Sequence, residues 1–402
     1  MSKKLYIFPV LLLLLTGCIN DYQPVCDKVE AHMVSFSLSV DKDGTRSGDE
    51  TWSGGYEDEE GFEWDQTIST SPDSIHPVLY DVNDKDEIIT SNPAGEIKNV
   101  IVTYDKTEKC YNVSGKLETN KTLSMLQNGK FRLVIYANMK DYDAKNPMSE
   151  QAEFTRHGAP GSGTSDDELK HVPMFGVGVA NLSQVGTQTG VTQYTILDSS
   201  GNPLNIPMLR AMAKVRVKIA EDLRNVIDLK EISINRHAQS GYIVPNSWNK
   251  ISSVYEIPLN QTMNAKTNNN HTCTTTINPE TDKTNNRDKL RFFIPETFNK
   301  DNDGVTGSTD LSLTIKYVYI KCEQDASKKD DEHGHTEVSE PVEQTIYFRQ
   351  YLNGKPNMDV APYDIIRNHV YDFTINGVAN NFELLMDLSI YKWKYHKLGT
   401  EL

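Results

Sequence analysis

The chain has 402 residues, of which 37% are hydrophobic and 24% charged, with 56 acidic against 41 basic side chains and a formal net charge of −15. That balance argues against nucleic acid as a partner and against docking on anionic lipid by charge. The length exceeds the roughly 250–300 residues at which a single core stops growing, so two or more domains are expected.

The chain opens with MSKKLYIFPVLLLLLTGCIND. Lys3 and Lys4 form a positive leader, and the apolar run Leu5 to Leu15 is too short to cross a bilayer, so residues 1–17 read as a signal peptide. The run ends in Leu15-Thr16-Gly17-Cys18, small residues before a cysteine, which looks like a bacterial lipobox with Cys18 as the lipidation site. An ordinary signal peptide followed by a chance cysteine is the alternative. Cleavage before Cys18 removes Lys3 and Lys4, leaving 39 basic side chains and a net charge of −17. Two or three acyl chains would hold the mature chain firmly on a membrane.

Next comes VSFSLSVDKDGTRSG, residues 34–48. Val34, Phe36, Leu38 and Val40 alternate with serines, the period-two pattern of a half-buried strand. Turn residues and Arg46-Ser47 follow, and then an acidic run, Glu57 to Glu60 with Glu63 and Asp65, that can bury little. A well-patterned strand therefore hangs on an exposed, protease-accessible leash.

Beyond the leash nearly every periodic stretch has period two: NVIVTYD (99–105), KFRLVIYAN (130–138), AKVRVKIA (213–220), LRFFIP (290–295), LSLTIKYVYI (311–320) and QTIYFRQY (344–351). Thr122 to Gly129 predicts a short helix. Linkers are rich in Gly, Ser, Asn, Asp and Pro. This is the pattern of antiparallel β-sandwiches, and the class is all-β. The polar region 181–206, ahead of the strand IPMLRAMAKVRV, is the boundary candidate, giving units 47–203 and 204–402. Inserts at 141–170, 261–288 and 323–341 are expected as surface loops.

Catalytic signatures are thin. GAPGSG (158–163) lacks the Lys-Ser/Thr that grips phosphate and reads as a flexible loop. DEHGHTE brings His333 and His335 beside Asp330, Asp331, Glu332 and Glu337, a set able to hold a transition metal, but a solvated loop tip is the better reading. The acidic run lacks the spacing of a calcium loop. Trp52, Trp64, Trp248 and Trp393 could stack on sugar rings, although tryptophan in a sandwich is more often core. With Cys18 lipidated, four cysteines remain and allow three pairings, among which sequence cannot choose. No cofactor, metal or catalytic residue is assigned, and the function is expected to lie in surfaces rather than in a reaction.

Several strings together resemble one family. FRLVIYAN (131–138), VPMFG (172–176), IPMLRAMAKVRV (206–217), GYIVP (241–245), FFIPE (292–296) and IIRNHVYDFTINGV (365–378), with the lipobox leader and the C-terminal LLMDLSIYKWKYHKL, are similar in kind and order to the fimbrillin, or type V pilin, family of Gram-negative gut and oral anaerobes. The resemblance spans nearly the whole chain.

It implies two transthyretin-like β-sandwich domains, exported as an outer-membrane lipoprotein and assembled into a surface fimbrium with other fimbrial subunits. It further implies an arginine-specific protease that removes the N-terminal strand, here residues 18–46, with the cut between Arg46 and Ser47. A strand from another subunit then fills the groove. Val34, Phe36, Leu38 and Val40 would form the displaced strand. Leu384, Met386, Leu388 and Ile390 repeat its spacing and, with Trp393, would form the donor, within a segment of about 383–402. The alternatives are that residues 383–395 are the last strand of their own domain, that the chain is a tip or anchoring subunit, and that it is a surface glycan-binding lipoprotein.

Overall fold

The structure, a computed structural model, describes residues 32–40, 68–105, 108, 110–139, 156–158, 171–188, 191–254, 273–277, 290–299, 311–323 and 334–392. The strands are β1 (His32–Ser39), β2 (Ile75–Val82), β3 (Ile88–Asp105), β4 (Cys110–Thr119), β5 (Phe131–Ala137), β6 (Arg156–Gly158), β7 (Met174–Gln188), β8 (Val191–Leu197), β9 (Asn205–Arg210), β10 (Met212–Ile219), β11 (Ile227–His237), β12 (Cys273–Ile277), β13 (Leu290–Pro295), β14 (Ser312–Glu323), β15 (Gly334–Glu337), β16 (Val342–Tyr347), β17 (Tyr351–Leu352), β18 (Lys355–Pro356), β19 (His369–Val378) and β20 (Leu384–Lys392). The α-helix among them is α1 (Leu123–Asn128), whose start is capped by the Thr122 hydroxyl accepting from the Met125 N–H. The chain is all-β, as its period-two stretches predict.

The first sheet runs β4-β3-β2-β5-β7. The far edge of β7 is shared: Met174–Gly176 pair with β9 and Asn181–Gln188 pair with β8. β1 then bonds β8 and β9 along one edge and β4 along the other, so the sheet returns on itself. Val34, Phe36 and Leu38 point into the enclosed core with Leu133, Ile135, Met174 and Ile206.

β5 is buried at every position, Arg132 included, rather than on one face as its period-two reading predicts. Its second face, with Tyr80 and Phe175 from β2 and β7, is covered by residues 242–254, a strap from the C-terminal half. Trp248 of the strap packs edge-on against both rings, at 6.3 Å from Tyr80 and 6.2 Å from Phe175. It is a core tryptophan.

The C-terminal unit stacks the sheet β20-β19-β10-β13-β6 on a second sheet of β12, β11 and β14, with β15 and β16 both pairing β14. Their shared core includes Val215, Ile232, Ile315, Phe373 and Met386. β10 and β19 are parallel, an exception to the antiparallel rule of this unit.

Three findings differ from the sequence reading. The polar stretch 181–206 is largely strand, and the chain passes between sheets at Ala211, splitting the expected single strand 206–217 into β9 and β10. Each of the three inserts contributes a short strand, β6, β12 and β15, added to the edge of a better-patterned neighbour. β6 also carries a piece of the N-terminal half into the C-terminal sheet.

A buried ion pair fastens the strap. Arg367 Nη2 donates to Glu296 Oε2 at 2.8 Å and to the Tyr242 carbonyl at 3.0 Å, and Nη1 donates to the Ile243 carbonyl at 2.6 Å. With both side chains almost wholly buried, the pairing offsets a desolvation cost that neither charge could bear alone. Met212, Phe293 and Val370 of the C-terminal unit extend the first core. The two halves are thus packed as one body. Trp248→Ala is expected to cost about 3–5 kcal/mol of stability, measured by urea denaturation; a loss under about 1 kcal/mol would show that the strap does not hold the sheet.

Candidate functional site: the two terminal strands

β1 carries the strongest constraint among the terminal segments. Its register with β4 runs from His32 opposite Leu117 to Leu38 opposite Tyr111. On the other edge His32–Ser35 lie parallel to Thr192–Thr195, and Ser37–Ser39 lie parallel to Asn205–Pro207. Ser37 makes a further tie, its N–H donating to the Leu204 carbonyl at 2.9 Å and its hydroxyl to the same oxygen at 3.2 Å.

Val34, Phe36 and Leu38 are buried, and Val40 packs against the same core from a partly buried position. Ser35 and Ser37 between them are half-buried on the other face, and Ser39 is buried. His32 is also inward, edge-on to Tyr194 with ring centroids 5.4 Å apart. Gly115 faces Val34 across the ladder, and a side chain there would meet Ile97 at 2.6 Å, so glycine lets three strands converge beside Val34. Opposite Leu38, burial raises the Tyr111 phenol above its ordinary pKa, which keeps it neutral at the end of the groove.

The other terminal strand, β20, lies at the end of its sheet. In this structure it pairs with β19, from Val378 opposite Leu384 to His369 opposite Lys392. Leu384, Met386 and Ile390 are buried in the core of their own unit, and Leu388 packs against it half-buried. Leu384–Lys392 is therefore found as a strand of its own unit, and the rest of the segment lies outside the described residues.

The remaining residues singled out in the sequence, Cys18, Arg46, Ser47 and Trp393, lie outside the described residues. So do Trp52, Trp64 and the acidic run. His335 and Glu337 fall in β15, where Glu337 pairs with Lys230 at 2.6 Å. Among the described residues no group of three or more His, Cys, Asp or Glu could hold a metal ion. No described helix is long and apolar enough to cross a membrane. Sequence reasoning found the inward set of β1 and placed most of β9 in the expected strand 206–217, but missed β4 and also β8, which lies in the polar stretch 181–206. The buried Tyr194 and Ile196 of β8, alternating with polar residues, were the available signal.

No family model matches the chain, and no curated protein matches it. Solved structures do. The tip fimbrial protein Mfa3 from Porphyromonas gingivalis, with a C-terminal truncation, aligns over 90% of this chain and 100% of its own at 13% identity, with a TM-score of 0.46. A fimbrial protein from Bacteroides vulgatus aligns over 80% and 92% at 13% identity and a TM-score of 0.30. The fimbrial anchor protein Mfa2 from Porphyromonas gingivalis aligns over 90% and 98% at 8% identity and a TM-score of 0.28.

Phe36→Ala is expected to cost about 3–5 kcal/mol in urea denaturation, while Ser35→Ala on the opposite face stays within about 0.5 kcal/mol. Equal effects of the two would show that β1 is not docked in this register.

Proposed function

We propose that the chain is a structural subunit of a cell-surface fimbrium in which β1 is a temporary plug. The observation that carries the reading is the double pairing of β1: one strand, joined to the body through residues 41–67, closes the first sheet on both edges. That connecting segment contains Arg46. The order of sequence motifs that resembles fimbrillins is a second, independent support.

The physical consequence of a cut after Arg46 follows from tethering. An attached strand rebinds its groove at an effective concentration in the millimolar range, whereas a detached one faces only its bulk concentration. Loss of β1 bares the bonding groups of β4, β8 and β9 together with the pockets of Val34, Phe36 and Leu38. Refilling each pocket is favourable by about 1.5–3 kcal/mol, and an unpaired edge invites another strand.

The C-terminal segment supplies that strand. Leu384, Met386, Leu388 and Ile390 match the spacing of Val34, Phe36, Leu38 and Val40, and the apolar set then shifts phase to Tyr391 and Trp393, so the segment of one copy suits the groove of the next by strand addition with a bulge between its two parts. Such a contact joins unlike surfaces and does not close, so it propagates a filament rather than a ring. Cys18 carries the lipid that holds the uncut chain at the outer membrane, and an arginine-specific protease releases the plug. No energy source beyond the cut is required. In this scheme a tip subunit accepts a strand without donating one, and an anchor keeps its lipid and its β1.

Intact mass and N-terminal sequencing of material sheared from the cell surface, compared with material left in the membrane, test the reading. The sheared form is expected to begin at Ser47, and Arg46→Ala is expected to abolish it. A chain that always begins at Cys18 and never enters a sheared polymer excludes the polymerising role and leaves an anchor or a glycan-binding lipoprotein.

A further inference from the structure

β20 is not held uniformly. Its inner edge pairs with β19 along its length, but its outer edge divides in two. At the start of the strand, Gln344 of β16 treats Leu384 as a strand partner would: its Nε2 donates to the Leu384 carbonyl at 3.0 Å, and its Oε1 accepts the Leu384 N–H at 2.7 Å. The Met386 N–H donates to the Gly354 carbonyl at 3.0 Å. Just before the strand, the hydroxyls of Tyr317 and Tyr319 both donate to the Phe382 carbonyl at 2.8 Å.

All five contacts grip backbone rather than side chain, so they fix the path of the chain. They come from β14, β16 and the β17–β18 turn, none of which is the pairing strand of β20. The close approach of the turn depends on Gly354, which has φ +77° and where a Cβ would lie 2.6 Å from Leu385 Cβ. Burial raises both tyrosine phenols, so each keeps the proton it donates. The clamp also fixes a backbone conformation that its residue disfavours. Phe382 has φ +65° with its ring exposed, a cost accepted where the surroundings dictate the path.

Bonding groups alternate along a strand. Since Leu384 and Met386 face outward, Leu388 and Ile390 do too, and among the described residues no element bonds their outward groups. We infer that this clamp on Phe382–Met386 divides β20 into a retained half and an exchangeable half, so that the C-terminal segment peels from β19 only as far as Asp387. The inference rests on the proposed strand donation and narrows it: Leu384 and Met386 stay in their own core, and the donor consists of Leu388, Ile390 and the residues after them.

Residue-resolved hydrogen exchange on the full, uncut chain tests the clamp without requiring polymer. The Leu385 and Ser389 amides both face β19, one inside the clamp and one beyond it. Ser389 is expected to exchange on the order of tenfold faster or more. Gln344→Ala is expected to speed Leu385 toward the Ser389 rate and leave Ser389 unchanged. Equal rates in the unaltered chain overturn the inference, as does an equal shift of both amides in Gln344→Ala, which is global loosening.

A second arm uses Val378 and Leu384, which are paired Cα partners. With both replaced by cysteine and oxidised, the retained half is pinned, and the chain cut after Arg46 is expected to polymerise to the same extent as the unpinned chain. A pinned chain that fails where the unpinned chain polymerises overturns the inference and spares the fimbrial reading. An unpinned chain that never polymerises overturns the fimbrial reading, and the exchange rates still decide whether the clamp exists.

Discussion

The first sheet depends on one strand being paired twice. Seven strands from β2 to β9, β6 excepted, form a continuous ladder, but that ladder alone leaves β4 with one open edge and β8 and β9 with another. β1 satisfies both. Its inward residues also complete the enclosed core, so backbone and side-chain requirements coincide on the same eight residues. A barrel-like closure of this kind removes edges altogether, which makes any vacancy in it costly and selective. An incoming strand must match an antiparallel partner on one side and parallel partners on the other, with an apolar residue at every second position.

That demand makes sense only if the surrounding walls stay in place when the strand changes. The strap 242–254 provides one reason for them to do so. By burying the second face of β2, β5 and β7 it turns half of the sheet into interior, and the Arg367–Glu296 pair fixes the strap's own carbonyls to the C-terminal unit. The cores meet again through Met212, Phe293 and Val370. Rigidity between the halves also fits the proposed filament role, in which pull applied at a C-terminal strand would reach the groove in the N-terminal half through packing rather than through a flexible linker.

Much of this was legible from residue patterns where a strand's own side chains decide its fate. The alternation of Val34, Phe36 and Leu38 announced the inward face of β1, KFRLVIYAN announced the strand β5 though not its burial on both faces, and Thr122 announced the start of α1. Short edge strands were not legible. β12 reads Cys-Thr-Thr-Thr-Ile and β15 reads Gly-His-Thr-Glu; their existence is set by the backbone of β11 and β14, and no apolar period records that. The sheet change at Ala211 was hidden for a related reason, since both strands it joins are apolar and periodicity does not encode which sheet a strand enters. The site itself was half visible: the occupant could be read from β1 and part of one wall from the apolar start of IPMLRAMAKVRV, but β4 and β8, which complete the groove, were not read.

The two terminal strands are held by opposite logic, and the difference bears on how assembly can be directional. β1 is bonded on both edges, so thermal fraying at one edge does not free it; what makes it removable, on the proposed reading, is a covalent cut that turns a tethered strand into a dissociable peptide. Among the described residues β20 has a single pairing partner over its later half, so on the inferred division that half can leave without any cut, while it remains part of the chain through Phe382–Met386. On the proposed reading, one strand is therefore stable until processed and then lost, while the other is free to open yet never lost. In the proposed assembly a subunit so arranged cannot accept a partner before cleavage, because its groove is filled, but it can offer its own strand at any time. Growth is then governed at the acceptor, and the segment that donates need carry no switch beyond the clamp that limits how far it opens.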